Sequence, residues 1–255
     1  MNINAGARTM EQATAIAKQS AIFQNVTDMS AEQASKAVAT MVNQYFGMDK
    51  ALAQVDKGVG ASVKGYDNLT QAMDLANYAG NNFAISSEGV TQALSRGGSV
   101  LSNYGVSLAD SVALISSANE SIQDPQRVGN GLKTIAIRLS GVQANAKTGT
   151  LELNKTAKAL KEIAGIDVFT DKSKTQTKDM MTLMNEIKGK WGELNDAQQK
   201  ALSEGLAGKT QAQVFQSLMN SWSRVKEFQD AYNKGWTIGS AQREKQHSPY
   251  VQKCA

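Results

Sequence analysis

The chain has 255 residues and a net charge of +4, with 41% hydrophobic and 6% aromatic side chains. That length suits one large domain or two ordinary ones, with a core built mainly of Ala, Leu, Val, Ile and ten Met. A single cysteine, Cys254, excludes an intrachain disulfide, and no apolar run reaches the roughly 18 residues a membrane span needs.

The N-terminus, Met1 to Ala5, has neither a basic nor an apolar region of signal-peptide type, so a cytoplasmic birthplace is the default. Only Pro125 and Pro249 interrupt the backbone ladder, and long helices are expected. Ser30-Ala31-Glu32-Gln33 reads as a capping box, and Ala34, Ala37, Val38, Met41, Val42 and Tyr45 follow at the spacing of one helix face. Val90, Ala93, Leu94, Leu101 and Tyr104 repeat that rhythm, as do Leu108, Val112, Ile115, Ala118 and Ile122. The links share a grammar: an aromatic residue closes a helix, Gly follows, then an apolar residue, then an Asp or Ser cap. Tyr45-Phe46-Gly47-Met48-Asp49 and Tyr104-Gly105-Val106-Ser107 fit it, and Tyr78-Ala79-Gly80 to Ser86 is a longer version. Short links of this kind favour helical hairpins packed side by side.

Asp124-Pro125 starts another helix through Leu132, Ile135, Ala136 and Leu139. Ser140 to Thr150 is small and polar and reads as a loop. A helix from about Asn154 ends at Gly165, and Ile166-Asp167-Val168-Phe169 alternates like a short strand, so at most one small hairpin is expected at 166–176. Helix resumes at Met180, Leu183, Met184, Ile187 and Trp191, and Asn195-Asp196-Ala197-Gln198 caps the next, which Gly208 stops. The last helix, with Thr210 as its cap, carries Val214, Phe215, Leu218, Met219, Trp222, Val225 and Tyr232. After Gly239 the chain is polar and aperiodic, and reads as disordered. The fold class is therefore all-α, a succession of helical hairpins in a bundle or elongated array. It divides into 1–143, 144–238 and a tail, 239–255.

No reactive constellation stands out. Ser203 to Thr210 nearly spells a phosphate-binding loop, but Ser203 replaces its first Gly and a helix, not a strand, precedes it. The sole histidine, His247, lies in the polar tail, where no scaffold can hold it for catalysis or, with Cys254, for zinc. Asp49, Asp56 and Glu120 read as solvated carboxylates and Asp124 as a cap. Arg127 and Arg138, three helical turns apart, share a face that Lys133 leaves; without interleaved aromatics they read as solvated charge. Met180, Met181 and Met184 read as adaptable core filler. Through Gly208 there are 20 Lys and Arg against 20 Asp and Glu, and from Lys209 seven against three. The basic excess thus lies in the last 47 residues, where solvation is favoured over nucleic-acid binding.

Several segments in order resemble the core of phage tail tape measure proteins, of the lactococcal type. They are Asn25 to Ser30, the Gly-Val-Ser junction before Leu108, and Asp124 to Leu139. Ala164-Gly165-Ile166-Asp167-Val168, Lys190-Trp191-Gly192-Glu193-Leu194 and Gln198-Gln199 follow. Leu206 to Gln211, then Phe215, Leu218, Met219 and Asn220, close the series. The resemblance spans about residues 5 to 235 and makes Ala207-Gly208-Lys209-Thr210 a family junction. It implies a structural, non-enzymatic protein without cofactor or metal, a scaffold that sets tail tube length and is released at genome delivery. It also implies residence in the tail lumen, assembly in the host cytoplasm, and tail tube protein, assembly chaperones and tip or baseplate initiator proteins as partners. Self-association is expected through the stripe Val214, Phe215, Leu218, Met219 and Trp222. The family's members are usually far longer and often carry apolar, membrane-active stretches that this chain lacks. The alternatives are a general helical interaction or membrane-active module, and a weak nucleic-acid binder using the tail.

Overall fold

The computed structural model describes residues 7, 9–27, 29–144, 151–171 and 176–241. Among the described residues ten α-helices follow one another: α1 (Met10–Asn25), α2 (Ala31–Tyr45), α3 (Asn68–Asn82), α4 (Ser87–Asn103), α5 (Leu108–Ile122), α6 (Pro125–Leu139), α7 (Lys155–Ala164), α8 (Met180–Trp191), α9 (Asp196–Asn220) and α10 (Trp222–Asn233). The fold is all-α, as its periodicity predicts.

Local chemistry starts the helices. Ser30 and Asn195 form reciprocal capping boxes with Gln33 and Gln198. Ser107, Asp124 and Asn154 each accept the backbone N–H three residues on. The second link of the shared grammar holds, since Ser107 caps α5. The first does not. Asp49 sits in a 3-10 turn, Met48–Lys50, and forms no side-chain cap, and irregular chain runs on to Asp67, which caps α3. Gln54 organises that stretch, its amide donating to the carbonyls of Gly60 (3.3 Å) and Val63 (2.7 Å) and accepting from the Gly65 N–H (3.0 Å).

Three other expectations are corrected. A small hairpin begins where the sequence reads as a loop, with β1 (Val142–Ala144) antiparallel to β2 (Leu151–Leu153). At 166–177 an antiparallel bridge joins Phe169 and Thr177, flanked by bonds from the Thr170 N–H to the Gln176 carbonyl (2.9 Å) and from the Lys178 N–H to the Val168 carbonyl (2.8 Å), within the expected limit of one small hairpin. Thr210 lies inside α9 rather than capping a new helix. The last helix breaks at Ser221, where the Lys188 ammonium donates to the Met219 carbonyl (2.8 Å). Helix α1 escaped the periodicity because its buried face includes Gln12 and Ser20.

One continuous core runs from Ile16 to Ala241 and crosses the expected boundary at residue 143. Its tightest seam is α4 on α6. An added Cβ on Gly97 would lie 2.6 Å from the Gly129 carbonyl oxygen, and one on Gly129 would overlap the Ala93 carbonyl. Only glycine lets the two backbones approach so closely. Helix α6 then meets α9, with Gly131 against Val214. Between α5 and α9, Ser117 and Ser221 exchange hydroxyl-to-carbonyl bonds (2.7 and 2.9 Å), and Ser217 donates to the Ala118 carbonyl (2.9 Å).

The expected tail begins as ordered chain. Asp74, fully buried on α3, accepts the N–H groups of Gly239 (2.6 Å) and Ala241 (3.2 Å) and the Tyr66 hydroxyl (2.9 Å). Those local donors, with the Ser240 hydroxyl on the Asp74 carbonyl (2.9 Å), hold a turn that composition alone reads as disordered. Residues 242–255, with His247 and Cys254, lie outside the described residues.

Candidate functional site

The distinctive local chemistry gathers where α6 and α7 meet the middle of α9. Gly208 has φ 74° and ψ 161°, a backbone state that favours glycine, while the residues on both sides are helical. Helix α9 is therefore two arms joined at one residue. A non-helical residue there takes the Gly205 carbonyl out of register with the N–H four residues on. Side chains take that carbonyl instead. The Arg138 guanidinium on α6 donates to it at 2.8 Å and to the Glu204 carbonyl at 3.2 Å, and the Thr156 hydroxyl on α7 donates to it at 3.2 Å. A cation at the end of the first arm also complements the negative end of the helix dipole.

Arg127 donates to the Thr210 carbonyl on the second arm (3.4 Å). The two arginines do share a face, as their spacing predicts, but they are not merely solvated. They clamp α9 on either side of its break. Lys133, off that face, is exposed. The signal in the sequence was the shared face; the acceptors, more than sixty residues away, were not legible.

Two open clefts border the junction. One, of ≈ 770 Å³, is lined by Tyr104, Ile137, Arg138, Asn154, Thr156 and Gly205 among others. Tyr104 and Ile137, 36% and 46% exposed, are two of the large apolar side chains left open to solvent. The other, of ≈ 510 Å³, lies between the arms of α9. Asp196, Gln199 and Glu204 of the first arm and Gln216 and Asn220 of the second line it, with Trp191 beside them. In the first cleft Arg138, Asn154 and Thr156 each donate to backbone carbonyls, an arrangement that joins α6, α7 and α9.

The expected partner stripe has an internal place. Val214, Phe215, Leu218 and Met219 are fully buried and Trp222 is 4% exposed. Phe215 meets Trp191 edge-on at 5.6 Å between ring centres. Helical periodicity finds apolar faces but does not say whether they face the chain's own core or a partner. In this fold they cover α5, α6 and α8.

The near phosphate loop is helical from Ser203 to Ala207, and the buried Ser203 hydroxyl bonds back to the Gln199 carbonyl (2.7 Å). Glu120 is tied to Arg224 (3.1 Å), which also donates to the Asn82 carbonyl (2.9 Å) and stacks on Phe83. Asp124 caps α6, and Asp49 and Asp56 are exposed. Met180 and Met184 are core residues, and Met181 packs against the core.

Electrostatics follow these packing roles. Burial, then the charge and hydrogen bond of Asp74, hold the Tyr66 hydroxyl far above its ordinary range. Burial also raises Tyr45. At Asp179 burial pushes upward, but the hydroxyl and N–H of Thr182 outweigh it and leave the carboxyl below its usual value. Among the described residues no group of three or more His, Cys, Asp or Glu side chains converges on a point, and no helix is long and apolar enough to cross a membrane.

No solved structure matches the chain. A family model described as phage-related minor tail protein matches residues 3–208, ending at the residue where α9 breaks. With most of its length, including every helix from α1 to α8, inside that match, the chain belongs to the phage-related minor tail protein family.

Proposed function

We propose that this chain is part of a tape measure protein, a structural scaffold that sets the length of the tail tube and leaves it at genome delivery. The family match over residues 3–208 carries the reading at the level of a virion tail protein. The ordered series from Asn25 to Asn220, whose capping residues have structural jobs, supports the narrower identity. The partners that fit are tail tube protein, assembly chaperones and tip or baseplate initiators, with the scaffold in the tail lumen.

The fold adds a constraint. These helices close around one core, whereas measuring length needs an extended chain. A helix advances 1.5 Å per residue. Duplicating residues 176–241 in frame in the phage gene therefore lengthens the tail by about 100 Å if this region is laid out as helix. Electron microscopy of assembled tails reads the change. Tails of unchanged length overturn the measuring role for this region.

A further inference from the structure

From the broken helix we infer that Gly208 is a hinge with two helical states, folded back in the compact chain and straight in an extended one. The inference takes its purpose from the tape measure reading, but it concerns the geometry of α9 alone.

Three observations carry it. First, the break is confined to one residue: within Asp196–Asn220 only Gly208 leaves helical angles. Returning one φ/ψ pair to the helical region makes a single 25-residue helix, and no proline in the segment opposes that.

Second, the hydrogen bonds exchange without loss. In the bent state the Gly205 carbonyl is served by Arg138 and Thr156. In the straight state the Lys209 N–H serves it, as in any helix interior. Arg138 and Thr156 thus act as a latch in place of the lost intrahelical donor. Both remain close enough to the half-open cleft beside Tyr104 and Ile137 to be hydrated when released.

Third, the arms do not seal against each other. Apart from Trp191 and Ala212, the groove between them is lined by charged and amide side chains, among them Asp196, Gln199, Glu204, Gln216 and Asn220, which water solvates well. Leu202, Leu206 and Ala207 on the first arm, and Val214, Phe215, Leu218 and Met219 on the second, enter the core. Those contacts keep the isolated chain bent, so straightening needs an agent that replaces them or a weakened latch.

The experiment is a spin-label distance measurement on the full chain. Cys254 is replaced by Ser, and labels are placed at Ala197 and Asn220, both exposed. In the bent state both ends border one groove, and the distance is short. A straight helix puts those positions about 35 Å apart. The parent chain is expected to give the short distance. In a trifluoroethanol titration, which replaces apolar contacts while keeping helix, Gly208→Ala, which favours helical angles, and the double variant Arg138→Met with Thr156→Val, which keeps Gly208 and removes the latch, are each expected to gain the population near 35 Å at lower alcohol than the parent chain. Far-UV circular dichroism is expected to keep its helical signal throughout. The inference is overturned if the latch variant needs as much alcohol as the parent chain, or if both variants lose helical signal. A tail whose length ignores duplication of 176–241 leaves this result standing, so the two failures are separable.

Discussion

Glycine serves opposite ends in two regions of this molecule. At the α4–α6 seam, Gly97 and Gly129 are ordinary helical residues whose missing Cβ creates room for a neighbouring backbone. At the α6–α9 junction, Gly208 supplies a backbone angle, and the space beside it is filled by a charged side chain rather than by a packed helix. The first region is apolar, sealed and specified by volume. The second is polar, flanked by clefts and specified by hydrogen bonds to carbonyls. The contrast teaches that one residue type can mark a rigid seam or a joint, and that its neighbours decide which.

The sharpest test of the seam is Gly129→Val. Its side chain must enter the Ala93 backbone, which cannot yield as a flexible side chain would. Overpacking of this kind is expected to cost about 3 kcal/mol or more, read as a lower urea midpoint. A neutral result would show that α4 and α6 slide freely, and the distinction from α9 would collapse.

Gly208→Ala comes next. Holding Ala at a positive φ with an extended ψ costs about 1–3 kcal/mol. Urea unfolding should show that loss if the arms stay bent, and a smaller one if the helix straightens to escape it.

The region around α3 offers a pH test of sealed packing. Tyr66 stays neutral in the folded chain well above the pH at which it ionises when unfolded. Below pH 10 both states hold the proton and stability is unaffected. As pH rises beyond 10 the unfolded state alone releases it, and stability falls by up to about 1.4 kcal/mol per pH unit. Urea melts from pH 9 to 11 should show that slope, and Tyr66→Phe should reduce it. An unchanged slope in the variant would assign the effect to other groups.

Arg138→Met keeps most of the stem's packing while removing the guanidinium from two carbonyls. Since the side chain is only half-buried, water partly replaces it, and the expected loss is about 1 kcal/mol. A loss above that of Gly129→Val would make the junction, not the seam, the more tightly built region.

Gly205→Ala has the smallest effect and the opposite sign. A Cβ there meets nothing within 4 Å, and the residue is helical, so the substitution is expected to stabilise by about 0.5–1 kcal/mol. Destabilisation would reveal crowding at the Arg138 latch.

What the sequence determined by itself was local. The caps at Ser30, Ser107, Asp124 and Asn195 were legible because each acts on an N–H three residues away, and the helical rhythm after them needs no partner to be read. The break at Gly208 was legible for the same reason, as was the shared face of Arg127 and Arg138. The tertiary structure alone decided what those features meet. Whether the stripe from Val214 to Trp222 faces a partner or the core depends on where α5, α6 and α8 lie, and periodicity carries no such address. Arg138 reaches a carbonyl 67 residues on, and Asp74 holds an N–H 165 residues on. Such bonds form only after the chain has closed its loops, so no local pattern encodes them. Helix α1 shows the converse: its buried Gln12 donates to the Met48 carbonyl at 2.9 Å, a tertiary bond that lets a polar residue sit on the inward face and hides the helix from a reading based on apolar spacing.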